Sequence, residues 1–390
     1  MVDNFRFARI PAVHFGKGTF STLPSLCRKY GKSLVVVTGK SSFIRSPEAE
    51  TFFNKLKEEG FTWRHVTVEG EPSPDTIDSA VQNIGNEIID LVIGIGGGSA
   101  LDAGKAISAM LRCEGSVKDY LEVTGTKSHP GTKVPFIAVP TTSGTGSEAT
   151  KNAVISRIGK DGFKRSLRHD NFVPEIALVD PLLTVNCPPD ITAASGMDCF
   201  TQLTEAYLSN SATPYTDALA LEGLKEVKNS LVRCCIDGSD IEARSGMSFA
   251  ALTSGICLAN AGLGVVHGFA SSLGARYNIP HGSICGTLMS SANEINVRAL
   301  RKEGGKAALS KYAALGRLFL GEKDSGDDYF IDGFIDFLFR LSSELKLPGL
   351  KSAGADSSDF HDLVQQTECK NNPVKLSPEQ LYEILDKRYF

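Results

Sequence analysis

The stretch DLVIGIGGGSALDAGK, residues 90–105, decides the fold of this chain. Its first half is a short apolar run rich in β-branched residues, which predicts a buried strand that ends in glycines. Its second half is the beginning of the segment ALDAGKAISAML, residues 100–111, which predicts a helix. A strand that passes through glycines into a helix is typical of a dinucleotide-binding sheet, because the backbone can approach a pyrophosphate and the helix N-terminus attracts its charge.

Similar units surround this stretch and predict an α/β domain. Strands are predicted wherever a short β-branched run ends at glycine or proline, and helices where apolar residues recur at helical spacing. Alternation of the two implies parallel strands with helices covering the sheet. The predicted strands are residues 33–39, 61–70, 90–99 and 134–142, and the predicted helices are residues 46–60 and 74–88, the latter with Asp75 as its N-cap.

The second half of the chain has a different pattern. From about residue 186, apolar residues recur at helical spacing and little resembles a strand. Prolines 181, 188 and 189 in VDPLLTVNCPPD mark a connection. We therefore predict an α/β dinucleotide-binding domain over residues 1–185, an all-helical domain over residues 186–390, and a ligand site in the cleft between them.

Bulk properties exclude several functional classes. A net charge of −4 and a pI near 6.0 provide no basic footprint for nucleic acid. No apolar run reaches a membrane span of about 18 residues, and the N-terminal residues lack the pattern of a signal peptide. The nine cysteines are scattered without a CxxC pair, which favours a reducing, cytoplasmic setting over a disulfide framework.

Two loops carry the predicted cofactor chemistry. The first contains Gly96, Gly97, Gly98 and Ser99, although it departs from the GxGxxG fingerprint. The second, PTTSGTGSE at residues 140–148, combines hydroxyl donors with glycines and also follows a strand. Either loop alone could be a tight turn without a ligand. Because ligands bind beyond the carboxyl ends of strands in open α/β sheets, two such loops together indicate a dinucleotide site.

Four polar residues in the helical half suggest a metal site. Asp198 and Gln202 are four residues apart and would share one helix face, whereas His267 and His281 are separated by loop-like residues and must be brought together by the fold. Carboxylate, amide and imidazole groups suit a borderline divalent ion, with the neutral amide as the weakest ligand. Taken singly, each histidine is more often structural, and Asp198 could be a helix cap after Gly196. A metal beside a dinucleotide predicts hydride transfer at an alcohol oxygen.

With these motifs in order, the chain resembles the iron-containing alcohol dehydrogenase family (group III) over essentially its full length. The resemblance implies a Rossmann-like N-terminal dinucleotide-binding domain and an all-α C-terminal domain, in a dehydroquinate synthase-like fold. It also implies interconversion of alcohols with aldehydes or ketones, NAD or NADP, Fe²⁺ or Zn²⁺, and a homodimer or higher homo-oligomer. The motifs that carry it are GGGSALD (96–102), PTTSGTGSE (140–148), GMDCFTQLTEAY (196–207) and NAGLGVVHGFASSLGARYNIPHG (260–282).

The resemblance also implies roles for individual residues. Asp198, His267 and His281 match family metal ligands, and the two histidines are the expected catalytic residues. Gln202 stands where many members have histidine, and Ser271 stands where many carry a second histidine near the substrate. The positions that match cofactor contacts are Gly97, Gly98, Ser99, Asp102, Thr141, Thr142, Thr145, Asn152 and Lys164.

Gly39 bears on the choice of cofactor. Many NAD-using members of this family have aspartate here, which holds the ribose hydroxyls and would repel the extra phosphate of NADP. With glycine at this position, Lys40, Ser41 and Ser42 could supply charge and hydrogen bonds to that phosphate. We therefore expect NADP(H) to be used at least as well as NAD(H). The alternative is that Gly39 merely lets the chain turn.

Rival interpretations remain at this stage. A dehydroquinate synthase-like or glycerol dehydrogenase-like enzyme could use the same scaffold, but a polyanionic sugar phosphate would call for several basic residues, and Arg276 alone lies near the IPHG motif. A catalytically silent NAD(P)-binding protein that has lost its metal is a second alternative. A purely structural protein is disfavoured by the two loops. The preferred partner is a small alcohol or aldehyde substrate.

Overall fold

A six-stranded parallel sheet organises the N-terminal half in the computed structural model, which describes residues 4–369 and 371–390. Its strand order is β1-β8-β5-β4-β2-β3, and every pairing is parallel. The strands of the chain are β1 (Ala12–Phe15), β2 (Ser33–Gly39), β3 (Thr62–Val68), β4 (Leu91–Gly96), β5 (Phe136–Pro140), β6 (Asn152–Arg157), β7 (Phe163–Arg168) and β8 (Ile176–Val179).

Helices cover both faces of this sheet, as the strand–helix alternation predicts. Along β2, Val35 and Val37 join one buried cluster while Leu34 and Val36 join another, because successive side chains point to opposite faces. The layers are therefore helix, sheet and helix, the arrangement expected of a buried parallel sheet. The helices of this half are α1 (Leu23–Cys27), α2 (Pro47–Glu58), α3 (Pro74–Ile84) and α4 (Gly98–Met110).

The N-cap predicted for α3 is wrong by two residues. Ser73 is the N-cap, and its side chain accepts a hydrogen bond from the Thr76 amide at 3.2 Å. Asp75 lies in the first turn instead, where a carboxylate is favoured by the helix dipole. Pro74 occupies the first helical position, where its missing N–H costs nothing, so the helix begins two residues earlier than a cap at Asp75 would allow.

Four strands were not predicted from the sequence. β6 and β7 form an antiparallel hairpin between β5 and β8, and their mixed polar sequences NAVISR and FKRSLR lack the apolar signature of a central strand. β1 and β8 are only four residues long. The hairpin matters for the site because it carries Asn152 and Lys164.

The C-terminal half is helical, as the periodicity predicts. One hydrophobic cluster extends from Met197 to Leu385 and packs its helices together. Asp198 lies in the middle of α5, so the interpretation of this residue as a helix cap is wrong. The segment before His281 is also not a loop, because most of it forms α8. The helices are α5 (Pro189–Leu208), α6 (Pro214–Ile236), α7 (Ile241–Ala261), α8 (Val265–Arg276), α9 (His281–Glu303), α10 (Lys306–Leu320), α11 (Asp327–Glu344), α12 (Phe360–Gln366) and α13 (Pro378–Asp386).

The two halves meet where the loop after β5 packs against α7. A Cβ on Gly146 would lie 2.4 Å from the Gly255 amide nitrogen, and a Cβ on Gly255 would lie 2.1 Å from the Gly146 carbonyl oxygen. Gly146 also has a φ of +62°, which side chains disfavour. These two glycines therefore let the loop lie directly on the helix.

In the described part of the chain, no single helix has the length and apolarity to cross a bilayer. One bent pair, α7 with α8, meets those criteria only when its two members are taken together.

Candidate active site

A cleft of about 870 Å³ lies between the glycine loops and the helical half. Its walls include the first turn of α4, the β6–β7 hairpin and the facing ends of α8 and α9. A cleft of this size accommodates a large ligand. Ten residues that the sequence analysis named individually line it: Gly98, Ser99, Asp102, Thr145, Asn152, Lys164, Gln202, His267, Ser271 and His281.

The other predicted cofactor residues do not line this cleft but continue along the strand ends. The Thr141 amide donates to the Gly96 carbonyl at 3.0 Å, and a Cβ on Gly97 would lie 3.3 Å from Thr142 Oγ1. Gly39 ends the neighbouring strand β2, and Ser41 follows it in the loop before α2. These residues form a continuous row at the carboxyl edge of the sheet, which is the edge that binds ligands in α/β folds.

The loop that precedes α4 and the loop after β5 are in direct contact. A Cβ on Gly98 would lie 2.6 Å from Thr145 Cγ2, so a larger residue there would displace the second loop. Gly97 is the N-cap of α4 and has no side chain with which to cap the helix. Among the described residues, no side chain caps this helix end. The first turn can therefore offer backbone N–H groups to an anion.

Asp102 fixes the second loop and the hairpin to α4. Its Oδ1 accepts from Ser147 Oγ at 2.5 Å, and its Oδ2 accepts from the Val154 amide at 3.0 Å. Burial raises the pKa of Asp102 above its ordinary value, although the nearby Lys105 ammonium opposes the shift. Asp102 thus lines the cleft while it holds two of the cleft walls together.

Lys105, which the sequence analysis did not select, completes this arrangement. Its buried Nζ donates to the Ser147 carbonyl at 2.8 Å, to Thr150 Oγ1 at 2.9 Å and to the Asn152 carbonyl at 2.8 Å. Burial lowers the pKa of Lys105 to about 8, against the pull of Asp102 and Glu148. The spacing of Asp102 and Lys105, one helical turn apart, was the available signal.

Lys164 lies on β7 with its ammonium group paired to Glu71. Burial would raise the pKa of Glu71, but Lys164 lowers it below its ordinary value. Ser156 Oγ donates to the other Glu71 oxygen at 2.6 Å. A Cβ on Gly274 of α8 would lie 3.3 Å from Lys164 Cδ, so the lysine reaches across the cleft toward the helical half.

Asp198, His267 and His281 converge on one point at the inner wall of the cleft. Nε2 of His267 lies 3.2 Å from Asp198 Oδ1, and Nε2 of His281 lies 3.6 Å from the same oxygen. α5 carries the aspartate near its middle, α8 carries His267 in its first turn, and His281 begins α9. Three different helices thus bring together residues that are far apart in sequence.

Cys285 is a fourth donor that sequence reasoning missed. Its Sγ lies 3.8 Å from Nε2 of His267 and 3.8 Å from Nε2 of His281. The donor atoms of Asp198, His267, His281 and Cys285 all lie within 4.8 Å of one another. The signal was present as His281 and Cys285 four residues apart in one helix, a spacing that places both on the same face.

Gln202 lies beside this cluster with its amide already engaged. Nε2 of Gln202 donates to Asp198 Oδ1 at 3.2 Å, and Oε1 accepts from Ser254 Oγ at 3.2 Å. Gln202 is one turn beyond Asp198 on α5, as predicted. In this arrangement the amide nitrogen, rather than the oxygen, faces the carboxylate.

Glu205 orients His267 from the opposite side. Oε2 of Glu205 accepts from Nδ1 of His267 at 2.6 Å, and Oε1 accepts from the Val266 amide at 2.7 Å. A Cβ on Gly264 would lie 2.9 Å from Glu205 Oε1, so the glycine makes room for the carboxylate. Sequence reasoning missed Glu205, although its position seven residues after Asp198 puts both on one helix face.

The protonation of the cluster follows from its burial and close contacts. Burial opposes ionisation of Asp198, but the two imidazoles lower its pKa to about 2. Burial and the charge of Lys164 lower the pKa of His281 to about 4. Burial would also lower the pKa of His267, yet Cys285, Asp198 and Glu205 raise it well above its ordinary value. An ionised carboxylate and a neutral imidazole are the forms that bind metal.

The donor set therefore fits a divalent cation. Oxygen, nitrogen and sulfur donors of this kind suit a borderline ion such as Fe²⁺ or Zn²⁺. Nδ1 of His281 is buried and has no hydrogen-bond partner among the described residues, so the polar contacts of this ring are those of Nε2 with Asp198 and Cys285.

Two further residues of α8 that the sequence singled out are Ser271, which lines the cleft, and Arg276, which is not among the lining residues. Ser271 lies one turn beyond His267 on α8, where its hydroxyl donates to the His267 carbonyl at 3.0 Å. Arg276 is paired with Asp359 through an Nε to Oδ2 contact of 2.8 Å. Its guanidinium charge is therefore paired within the protein.

Comparison with known proteins agrees with this geometry. The family model for iron-containing alcohol dehydrogenase matches residues 11–181, and the model for the C-terminal domain of the Fe-containing alcohol dehydrogenase family matches residues 192–389. The chain belongs to the iron-containing alcohol dehydrogenase family. This membership confirms the resemblance noted from the motifs and makes the chain an NAD(P)-dependent oxidoreductase of the alcohol dehydrogenase and aldehyde reductase type.

Individual members of the family align with nearly the whole chain. Alcohol dehydrogenase 4 of Saccharomyces cerevisiae is 32% identical over 97% of each chain. The NADPH-dependent butanol dehydrogenase of Clostridium saccharobutylicum is 29% identical over 99% of this chain and 98% of its own. The alcohol dehydrogenase structure from Oenococcus oeni superposes with a TM-score of 0.90 at 28% identity, covering 99% of this chain and 100% of its own. The predicted fold class is thereby confirmed.

Proposed function

We propose that this member of the family catalyses metal-assisted hydride transfer between a small alcohol and its aldehyde or ketone. The observation that carries the proposal is the convergence of two histidines on one carboxylate. Nε2 of His267 and Nε2 of His281 both lie within 3.6 Å of Asp198 Oδ1. Both histidines line the same cleft as Gly98 and Thr145 of the two glycine-rich loops. The two histidines and the loops thus line one cleft.

The residues of the cluster would hold the cation, and those of the loops would hold the dinucleotide. When bound, the cation would act as a Lewis acid on the substrate oxygen and the nicotinamide would carry the hydride. Asp198 would supply the negative charge, and the two imidazoles would supply neutral nitrogens once metal binding has displaced the proton that the raised pKa of His267 retains. Glu205 keeps Nδ1 of His267 protonated, so that Nε2 is the nitrogen presented to the cluster.

The predicted cofactor residues divide into three groups under this proposal. Gly98, Ser99 and Thr145 lie at the N-terminus of α4, where an anionic pyrophosphate is favoured. Asn152 and Lys164 line the hairpin side of the cleft, and the positive charge of Lys164 is partly balanced by Glu71. Gly97, Thr141 and Thr142 support the loops from the sheet edge.

We propose further that NADP(H) is used at least as well as NAD(H). Gly39 lacks a left-handed φ, and a Cβ at this position would meet no atom within 4 Å. Neither the backbone conformation nor the packing therefore requires glycine at this position. This supports the alternative that the missing side chain leaves room for the extra phosphate of NADP(H). Lys40, which follows it, makes an exposed pair with Glu69 at 2.7 Å, a contact that a phosphate could replace.

The remaining proposals concern the organisation of the protein. We place the boundary between the dinucleotide domain and the helical domain at residues 185 and 186, just before α5. A homo-oligomer is supported by the exposed apolar side chains of edge strand β1, Val13 and Phe15. A cytoplasmic setting is supported by the nine cysteines, all of which are free thiols.

The test of the proposed function is a substrate screen with and without metal. Purified protein would be assayed by reduced-nicotinamide absorbance with short aliphatic, diol and acidic aldehydes, each with NADPH and NADH and with added Fe²⁺ or Zn²⁺. We expect turnover that chelation abolishes and added metal restores. Dinucleotide binding without metal and without turnover on any substrate would favour the catalytically silent alternative. Turnover of a polyanionic sugar phosphate alone would favour the dehydroquinate synthase-like alternative.

A further inference from the structure

We propose that Cys285 binds the metal as a thiolate and that its sulfur gives the site a preference for Zn²⁺ over Fe²⁺. This inference rests on the proposed function, because it adds a ligand to the cluster formed by Asp198, His267 and His281. It also assigns Gln202 a different part, as a positioning residue that donates to the Asp198 carboxylate.

Four of the six separations between the donor atoms are close to the edges of a metal-centred tetrahedron. With metal bonds of about 2.0–2.1 Å to nitrogen or oxygen and about 2.3 Å to sulfur, a nitrogen–sulfur edge is about 3.6 Å and a nitrogen–oxygen edge about 3.3 Å. The two observed nitrogen–sulfur separations are both 3.8 Å, and the nitrogen–oxygen separations are 3.2 and 3.6 Å. The other two separations lie within 4.8 Å, so a single ion could bind all four donors if these atoms moved closer together.

Cys285 is held in this position by the helix that carries it. It follows His281 by one turn of α9, so both side chains project from the same face. The thiol is fully buried, and the contacts of its sulfur are with the two imidazole nitrogens. Asp198 is also buried, whereas His267 and His281 line the cleft. The carboxylate and the sulfur thus approach the cluster from the protein interior, and a substrate oxygen would approach from the cleft side as a fifth ligand, an expansion that catalytic zinc sites accept.

Gln202 is less suited to the role of fourth ligand. Its Oε1 accepts a hydrogen bond from Ser254, and its Nε2 donates to Asp198 Oδ1. To present Oε1 to a cation, the amide would have to turn and lose the donor that now stabilises the carboxylate. A neutral amide oxygen is also a poorer ligand than a thiolate for a borderline ion.

The chemistry of sulfur gives the expected selectivity. Thiolate ligands favour Zn²⁺, and divalent affinities rise from Fe²⁺ toward Zn²⁺ for a given set of donors. Metal binding would replace the proton on Sγ, which would pass to solvent. The two negative charges of Asp198 and Cys285 would then balance the charge of a divalent ion in a buried site.

The first experiment uses cobalt as a spectroscopic probe. Metal-stripped full-length protein would be loaded with Co²⁺, and the near-ultraviolet region would be examined for thiolate-to-cobalt charge transfer. We expect this band in the wild type and in Cys257→Ser, and we expect its loss in Cys285→Ser. Cys257 is a matched control because it is also buried and its thiol donates to a helix carbonyl, that of Thr216. Bound cobalt without the band in the wild type would overturn the proposal.

The second experiment measures selectivity directly. Stripped protein would be offered equal concentrations of Zn²⁺ and Fe²⁺ without oxygen, and bound metal would be measured by elemental analysis. We expect the wild type to take up zinc, and Cys285→Ser to lose at least about tenfold of that preference. An unchanged preference in a folded Cys285→Ser protein would contradict the proposal.

A third measurement needs no variant. X-ray absorption at the zinc edge of the wild type should show one sulfur at about 2.3 Å, and a shell of nitrogen and oxygen alone would refute the assignment of Cys285.

The outcomes of these three experiments can be distinguished from failure of the proposed function. A wild type that binds none of Zn²⁺, Fe²⁺ or Co²⁺ would remove the metal site itself, whereas metal binding without sulfur would remove only the role of Cys285.

Discussion

Oε2 of Glu205 lies 2.6 Å from Nδ1 of His267. This contact fixes the ring so that its other nitrogen, Nε2, faces Asp198 at 3.2 Å. A carboxylate behind a histidine ligand sets the tautomer and orientation of the ring and strengthens it as a donor. Glu205 is therefore a positioning residue for the metal cluster, although it is not expected to touch the substrate.

Replacing this carboxylate should weaken metal binding without unfolding the protein. Glu205→Gln preserves the size of the side chain but removes its charge, and we expect metal affinity to fall about 10- to 100-fold. Competition with a coloured chelator would measure the affinity, and thermal unfolding would monitor the fold. Glu222→Gln, an exposed substitution in α6, is the control. Equal metal affinity in Glu205→Gln and wild type would remove Glu205 from this role.

The cofactor proposal predicts that Gly39→Asp shifts preference toward NAD(H). The new side chain has room, and its carboxylate would repel the extra phosphate of NADP(H). We expect the ratio of kcat/KM for NADPH to that for NADH to fall about tenfold or more, a change of about 1.4 kcal/mol. Gly326→Asp adds the same charge in open space before α11 and should leave the ratio unchanged. A wild type that strongly prefers NADH would already disprove the cofactor proposal.

The contact between the two loops predicts that Gly98→Ala impairs cofactor binding. Its Cβ would lie 2.6 Å from Thr145 Cγ2, so one of the loops must move. Overpacking of this kind costs about 1–3 kcal/mol, and we expect the KM for the dinucleotide to rise about tenfold or more. Gly326→Ala is the matched control, since no atom lies within 4 Å of its Cβ position. Unaltered cofactor KM in Gly98→Ala would show that this loop contact does not shape the site.

Lys105 should prove important for stability as well as for the cleft. Lys105→Met retains the length of the side chain but leaves the carbonyls of Ser147 and Asn152 without their buried donor. It also removes the cation beside Asp102. We expect the free energy of unfolding to fall by about 3 kcal/mol, measured by denaturant titration. Lys225→Met, which alters an exposed pair with Glu222, should change stability by less than about 1 kcal/mol. Equal effects of the two substitutions would contradict the assigned role.

Much of the fold could be predicted because local patterns and tertiary structure agree. The run at residues 33–39 is the observed β2, and the glycines after residue 93 end β4 and begin α4 as expected. The helical half followed from apolar periodicity alone. The strands that were missed, β1, β6, β7 and β8, are short or mixed in polarity, and their pairing depends on partners distant in sequence.

The site could be predicted only in part for a related reason. Asp198, His267 and His281 were found from residue type and order, but distances between helices are a tertiary property. Glu205 and Cys285 were overlooked although each lies at helical spacing from a chosen residue, seven after Asp198 and four after His281. Asp75 was chosen wrongly as the N-cap of α3, because Ser73 and Pro74 together set the start of this helix.

The central claim is that a cation held by Asp198, His267 and His281 is required for hydride transfer. The most direct measurement is metal content together with reductase activity in wild type and His281→Ala, with His361→Ala as the control on α12. We predict about one divalent ion per chain and full activity in the wild type and the control, and parallel loss of metal and activity in His281→Ala. Full activity in a metal-free His281→Ala protein would contradict the account.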